Sequence, residues 1–458
     1  MAKRRFLLGL EFGRGTGWTV GVDAIYFGAD ENWYTGTSWS RPIFDGESET
    51  IAASDRVGTL NRMVRFYNSA GGYFIVDNIE FTGMAHLDDD EEFVLHLNTP
   101  KAEVKNCYFH GWSHGGTATE DNLRIIETNV GYGIPDLISI HDNVIDGSDS
   151  SPVPGDMAMA WKGAATYVYH NYIAYVQNGQ AAFKTSYLFG NTFKEIATVS
   201  DFDSTAHHQA HEDEDQPGGD VYIFNNFVDG NDNGADWFIY PQEGDDVYIF
   251  NNVSINELSV STIISQKYQT SGTSVAMAFN NTIHSVATDA TSININNASG
   301  YTNYMEGYIR NNHVINDNGY YSAYIDGVTE SNYYYDSATN NATDGYSTSS
   351  DYAFEPTDSE GSTVDAGINL SSVCAGFSAD AVADPATACL YDTAYGVAYD
   401  DSDHTVSYPA RTPIERTTWD IGAYENAAGS SSTSTKKRVG GASGRFMVGG
   451  KLVTVESD

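Results

Sequence analysis

Three stretches of this 458-residue chain carry side chains whose types and spacing suit chemistry. The first, FHGWSHGGTATEDN from position 109, sets His110, Trp112 and His114 at alternate positions. In an extended segment these three share one side, and an indole with two imidazoles can stack on and hydrogen-bond a sugar ring. A packed tryptophan with hydrogen-bonded histidines at a loop base is the plainer alternative. The second, DFDSTAHHQAHEDEDQPGG from position 201, holds Asp201, Asp203, His207, His208 and His211 ahead of an acidic run. Paired carboxylates serve glycoside hydrolysis when their environments separate their pKa values, Asp/His clusters hold divalent ions, and a solvated acidic loop needs neither. The third, VDGNDNGADWF from position 228, matches the start of a calcium loop at Asp229, Asn231, Asn233 and Gly234. The bidentate Glu expected at the twelfth position is Tyr240. The match is partial, and Asp, Asn and Gly also simply make turns.

Such groups act only where a framework brings them together, and the framework is written in a repeat. VYIFNN occupies 221–226 and returns at 247–252, and looser copies run from FIVDNIEF to TESNYYY. The recurring Asn falls at Asn78, Asn106, Asn143, Asn171, Asn191, Asn226, Asn252, Asn281, Asn312 and Asn332, at intervals averaging about 28 residues. A period between 20 and 50 residues marks a solenoid. Each copy alternates apolar and polar residues and is rich in Val, Ile, Tyr and Phe, as half-buried strands are. No 3.6-residue periodicity intervenes, so helical repeats are excluded. The expected fold is all-β: a right-handed, single-stranded parallel β-helix of about 10–12 coils. Stacked coils place equivalent residues roughly 4.8 Å apart, so the Asn series is read as a structural ladder, each Asn at a left-handed bend and bonded to those above and below. Functional groups then belong to what differs between coils, and the two longest intervals follow Asn106 and Asn191.

The phrases VDNIEFTG and IHDNVIDGSD, the Asn series, TVDAGINL at 363–370, Arg411 and the closing WDIGAYE at 419–425 resemble the parallel β-helix repeat proteins of bacteria and their viruses, within the pectate-lyase-like superfamily. The resemblance spans roughly residues 40–426 and is specific for fold, because that superfamily contains lyases, hydrolases, epimerases, adhesins and viral tail spikes. For a lyase it implies carboxylate-held calcium and a basic residue that takes the proton. The basic residues between 66 and 435 are Lys101, Lys105, Arg124, Lys162, Lys184, Lys194, Lys267, Arg310, Arg411 and Arg416, and none lies in a matching catalytic pattern.

Composition narrows the classes further. Hydrophobic content of 41% is ample for a core, and the formal charge is −39. So acidic a chain does not displace counterions from nucleic acid. Residues 66–435 hold 10 basic and 52 acidic residues, while the two ends together hold 13 and 10, so the ends are relatively basic. The expected organisation is an N-terminal arm and cap at 1–65, the β-helix body at 66–350, irregular C-terminal coils and a cap at 351–426, a Ser/Thr/Gly linker at 427–435 and a basic arm at 436–458. Trp18, Trp33 and Trp39 are candidates to cover the first coil's open edge, and RFMVGGKLVTVE in the arm reads as a strand that pairs with a neighbour. Eleven tyrosines crowd residues 301–352 and suit either sugar stacking or a protein interface.

The FLLGL after MAKRR is too short for a signal peptide, and no apolar run is long enough to span a membrane. Cys107 reads as a buried small hydrophobe; Cys374 and Cys389 read either as a disulfide or as free thiols. The preferred reading is a non-catalytic structural or adhesive protein, a tail-spike-like or decoration component of a virion surface or extracellular assembly. It presents carbohydrate- or host-facing loops through His110, Trp112, His114, Asp201, Asp203, His207 and His211, and self-associates or joins a larger assembly through its basic ends. No cofactor is required, with calcium at Asp229, Asn231 and Asn233 as the option. The alternative is a polysaccharide lyase or glycoside hydrolase with its groove on the β-helix.

Overall fold

The computed structural model describes the strands and tight turns between Leu10 and Asp336, residues 346–347, 352–357 and 363–426, and the strands Arg445–Val448 and Lys451–Thr454. Twenty-nine strands form one continuous parallel ladder. It winds as a three-faced β-helix whose first face stacks the strands beginning at residues 10, 61, 92, 123, 155, 176, 211, 237, 262, 293 and 323. These strands number coils 1 to 11, and each coil runs on through a second and a third face.

VYIF shows why the second face forms. Val221 and Ile223 point into the core, while Tyr222 and Phe224 point outward. Because the coils are in register, Val221–Phe224 lies residue for residue beside Val247–Phe250. Identical side chains therefore stack: Phe189, Phe224, Phe250 and Phe279 have ring centroids 5.1, 4.9 and 4.9 Å apart, close to the spacing of the strands that carry them. The outer column beside it stacks Tyr167, Tyr187, Tyr222 and Tyr248 at 5.3, 5.4 and 5.2 Å.

The two Asn of VYIFNN have different tasks. Asn225 and Asn251 take the left-handed bend at φ 56° and 57°; Asn226 and Asn252 turn inward and are buried. From Asn143 to Asn312 each inward Asn donates its Nδ2 to the Oδ1 of the next, at 2.9, 3.0, 3.0, 3.0, 3.1 and 2.9 Å. Each Oδ1 also accepts the backbone N–H of the Asn one coil earlier, at 3.0–3.1 Å.

Three of the ten expected ladder residues lie elsewhere. Asn78 and Asn106 occupy the bend position at φ 57° and 52°, and the inward sites of their coils are taken by Ile79 and Cys107, whose N–H bonds to Asn143 Oδ1 at 3.0 Å. Asn332 pairs with Arg310, because a register shift follows and sets Tyr333 beside Asn312. Nor does the inward Asn itself carry the bend; the residue before it does.

Both ends of the expected domain plan change. Residues 10–45 supply Leu10–Phe12, Ala24–Gly28 and Ile43–Asp45, the three strands of coil 1, so this segment is a coil in its own right. Trp18, Trp33 and Trp39 lie outside the described residues. Residues 363–426 add no strand to the parallel ladder among the described residues. They form a strap along the rod. It touches coil 10 at Asn311, coil 8 at Asn251, coil 6 at Gly190, coil 4 at Asp142 and coil 3 at Tyr108, then returns to Asn311. Seven coil steps correspond to roughly 34 Å. The strap covers the outward aromatic columns with Leu370, Phe377, Trp419 and a Cys374–Cys389 disulfide. An outward face of stacked rings cannot remain in water at no cost, and the strap is what buries it. Its return limb is pinned by Arg416, fully buried, which bonds Glu425, Asn251 Oδ1 at 3.1 Å and three carbonyls. Arg445–Val448 folds back on Lys451–Thr454 as its own antiparallel hairpin, in place of the expected single strand.

Candidate functional site

Followed back from Phe279, the outer column of the second face reads Phe250, Phe224, Phe189, Tyr169, His141, Lys105, Asp77. The aromatic ladder thus becomes a charged one at coils 2 to 4. His141 is bracketed by carboxylates: Nε2 lies 3.0 Å from Glu103 Oε1 and Nδ1 lies 2.7 Å from Asp142 Oδ2. Lys105 Nζ reaches the same Glu103 oxygen at 3.2 Å, Tyr73 donates its hydroxyl to Glu103 at 3.5 Å, and Tyr169 stacks on the imidazole at 4.5 Å. From the strap, Tyr408 donates its hydroxyl to Asp142 Oδ1 at 2.5 Å.

Burial disfavours charge on all these groups, but mutual pairing wins at most of them. His141 is held above the ordinary imidazole value against burial by its bonds to Asp142 and Glu103. Burial likewise works against both carboxylates, yet the His141 hydrogen bond holds Glu103 and Asp142 below theirs. His170, with Nδ1 4.0 Å from Asp142, goes the other way: burial pulls it down to about 4, and Asp142 offsets only part.

The same bracketing recurs on the third face. His110 Nδ1 lies 2.7 Å from Asp149 and Nε2 lies 3.2 Å from Glu80. Burial lowers its pKa, and the two carboxylate bonds outweigh that and raise it to about 9. Tyr108 stacks between His110 at 4.1 Å and His404 of the strap at 4.3 Å; two coils on, Tyr172 is faced by Tyr399 of the strap at 5.0 Å.

A histidine doubly bonded to carboxylates holds both protons at neutral pH and has no free lone pair for a general base. It is a fixed cation that joins adjacent coils. His141 and His110 are both of this kind.

Among the described residues, the expected site residues are not brought together. Gly111, at φ 62°, breaks the extended run between His110 and Trp112, so His110 faces outward while Trp112 packs into the core at 3% exposure. The shared sugar-binding side expected of this trio is thereby lost. His114 lies on a short strand, Ser113–His114, paired with Ala85–His86. Asp201, Asp203, His207 and His208 lie outside the described residues. His211 opens His211–Asp213 on the first face of coil 7, in register with Trp237. Asp229 accepts from Asn256 Nδ2 at 2.7 Å, and Asn231 and Asn233 lie outside the described residues. Among the described residues no cluster of three or more His, Cys, Asp or Glu is placed to hold a metal.

Glu103, His141, Asp142, His170 and the strap residues Tyr399, His404 and Tyr408 are absent from the expectations above. Two of them sit in plain view, since ISIHDNVI and YVYHNYIA put His where the other copies have an outward aromatic residue or the bend Asn. A titratable side chain replacing a repeat's usual letter is the signal. No family model matches the chain, and no curated protein matches it in sequence. What the chain can do therefore rests on its own geometry.

Proposed function

We propose that this chain is a non-catalytic structural β-helix protein, a tail-spike-like or decoration component of a virion surface or extracellular assembly. Its rod presents carbohydrate- or host-facing loops, and its basic ends attach it to acidic neighbours. One observation carries this reading: the described acid and base groups on the rod's flank are engaged with each other and with the strap, Glu103, His141, Asp142 and Tyr408 on one face and Glu80, His110 and Asp149 on another. Groups so engaged stabilise a rod and are poorly placed to turn over a substrate. Attachment through the ends is supported by charge, since residues 436–458 carry five basic and two acidic residues against a body of 10 and 52.

Sedimentation mass of the full chain beside one ending at Ala428 tests the attachment. Assembly that is lost on truncation supports it. A monomer in both cases overturns arm-mediated assembly and turns the search toward polysaccharide cleavage.

A further inference from the structure

Residues 398–410 differ from the rest of the strap. None of them is buried. They hang between two firm anchors, Val397, whose N–H bonds to Gly190 O at 3.2 Å, and Arg411, which is bonded to Asp392 and Glu355. Between these, Ala398–Asp400 pairs antiparallel with Thr405–Ser407, and an isolated two-stranded hairpin is marginal in water. What seats this hairpin on the rod is a short set of ring and polar contacts: Tyr399 on Tyr172, His404 on Tyr108, Arg41 Nη1 on the His404 carbonyl at 3.3 Å, and Tyr408 on Asp142 and edge-on to His170 at 5.0 Å. Segments with few buried contacts open first.

We propose that residues 398–410 form a flap that lies closed on coils 3 to 5 near neutral pH and lifts as the Asp142–His170 pair beneath Tyr408 is acidified, freeing the ring faces of Tyr108 and Tyr172. The groups that face this pair are His141 from coil 4, Tyr169 from coil 5 and Tyr408 from the strap; behind His141 stands Glu103 of coil 3, which Tyr73 of coil 2 and Lys105 of coil 3 bond in turn. The signs decide the direction. Asp142 has a lowered pKa when folded, so what it contributes is present above the ordinary carboxylate value and is lost as pH falls through the lowered one. His170 is held neutral, so its contribution is present above the ordinary imidazole value and is lost as pH falls through about 4. Both act the same way. His141 has the opposite sign and stays charged throughout acidification. Once Asp142 gains a proton, Tyr408 loses its charged acceptor, and two imidazolium groups share the site without the carboxylate between them.

The test needs no ligand, so it stands or falls apart from the carbohydrate reading. Amide hydrogen exchange of the full chain is followed from neutral pH through the ordinary carboxylate range to about pH 2.5, corrected for intrinsic exchange, because Asp142 titrates below its ordinary value. Exchange within 398–410 is expected to rise at least about tenfold relative to 363–397. Tyr408→Phe should exchange quickly already at neutral pH, and His170→Gln should keep the flap closed to lower pH. The flap is overturned if 398–410 keeps its protection at about pH 2.5, if it loses protection only together with 363–397, or if Tyr408→Phe matches the parent.

Discussion

Replacing Asn252 with Ala removes one rung from the middle of the Asn ladder. Its Oδ1 accepts both the backbone N–H and the Nδ2 of Asn226 at 3.0 Å, and its Nδ2 donates to Ile223 O and Asn281 Oδ1 at 3.0 and 3.1 Å. The alanine variant orphans the buried backbone N–H of Asn226, while Asn226 Nδ2 keeps the carbonyls of Leu188 and Phe224 at 3.0 and 3.1 Å. One orphaned buried donor costs roughly 1–3 kcal/mol. Asn106→Gly is the matched control. Asn106 sits at φ 52°, where Gly is at ease, and its side chain bonds Asp77 at an exposed site, so the expected change is within about 1 kcal/mol. Denaturant titration followed by far-UV circular dichroism reads both variants against the parent. If Asn252→Ala proves no more harmful than Asn106→Gly, the division into ladder and bend positions is wrong.

The strap, the buried Cys107 and the bracketed His110 yield four further expectations. Arg416→Ala leaves Glu425 buried without its cation, which costs about 3–5 kcal/mol for a buried pair; limited proteolysis should then cut residues 363–426 while leaving the coils intact. Reducing the Cys374–Cys389 bond, which spans 15 positions, should destabilise the chain by about 3 kcal/mol. Cys107, with its thiol pushed up to about 12 by burial, should resist thiol reagents until the chain is unfolded. The imidazole of His110 should titrate near 9 by NMR, and Asp149→Asn should bring that value down. Because that pKa is raised on folding, its stabilising share is complete below the ordinary imidazole value and is lost as pH rises through about 9.

The solenoid is legible in the chain because register repeats the same physical demand every coil: inward Val and Ile, outward Tyr and Phe, then a bend. The bend and the ladder are harder to separate, since both accept Asn. Counting from the inward apolar residue resolves them. In VDNIEF the inward Val76 and Phe81 are five apart, as are Ile140 and Ile145 in IHDNVI, so Asn78 is two past the core residue while Asn143 is three past. Trp112 eluded alternation because one left-handed Gly resets it. The strap is illegible for a different reason. Residues 363–426 have no period, and their partners, such as Asn251 for Arg416 and Asp142 for Tyr408, lie 165 and 266 positions away.

Incubating the full chain with a panel of purified polysaccharides, at neutral pH and at about pH 4 where His170 gains its proton, tests the structural reading most directly. Retention of a glycan with no change in its chain length is the predicted result. Sustained release of oligosaccharides that is abolished by His141→Asn would contradict it and make the Glu103–His141–Asp142 site catalytic.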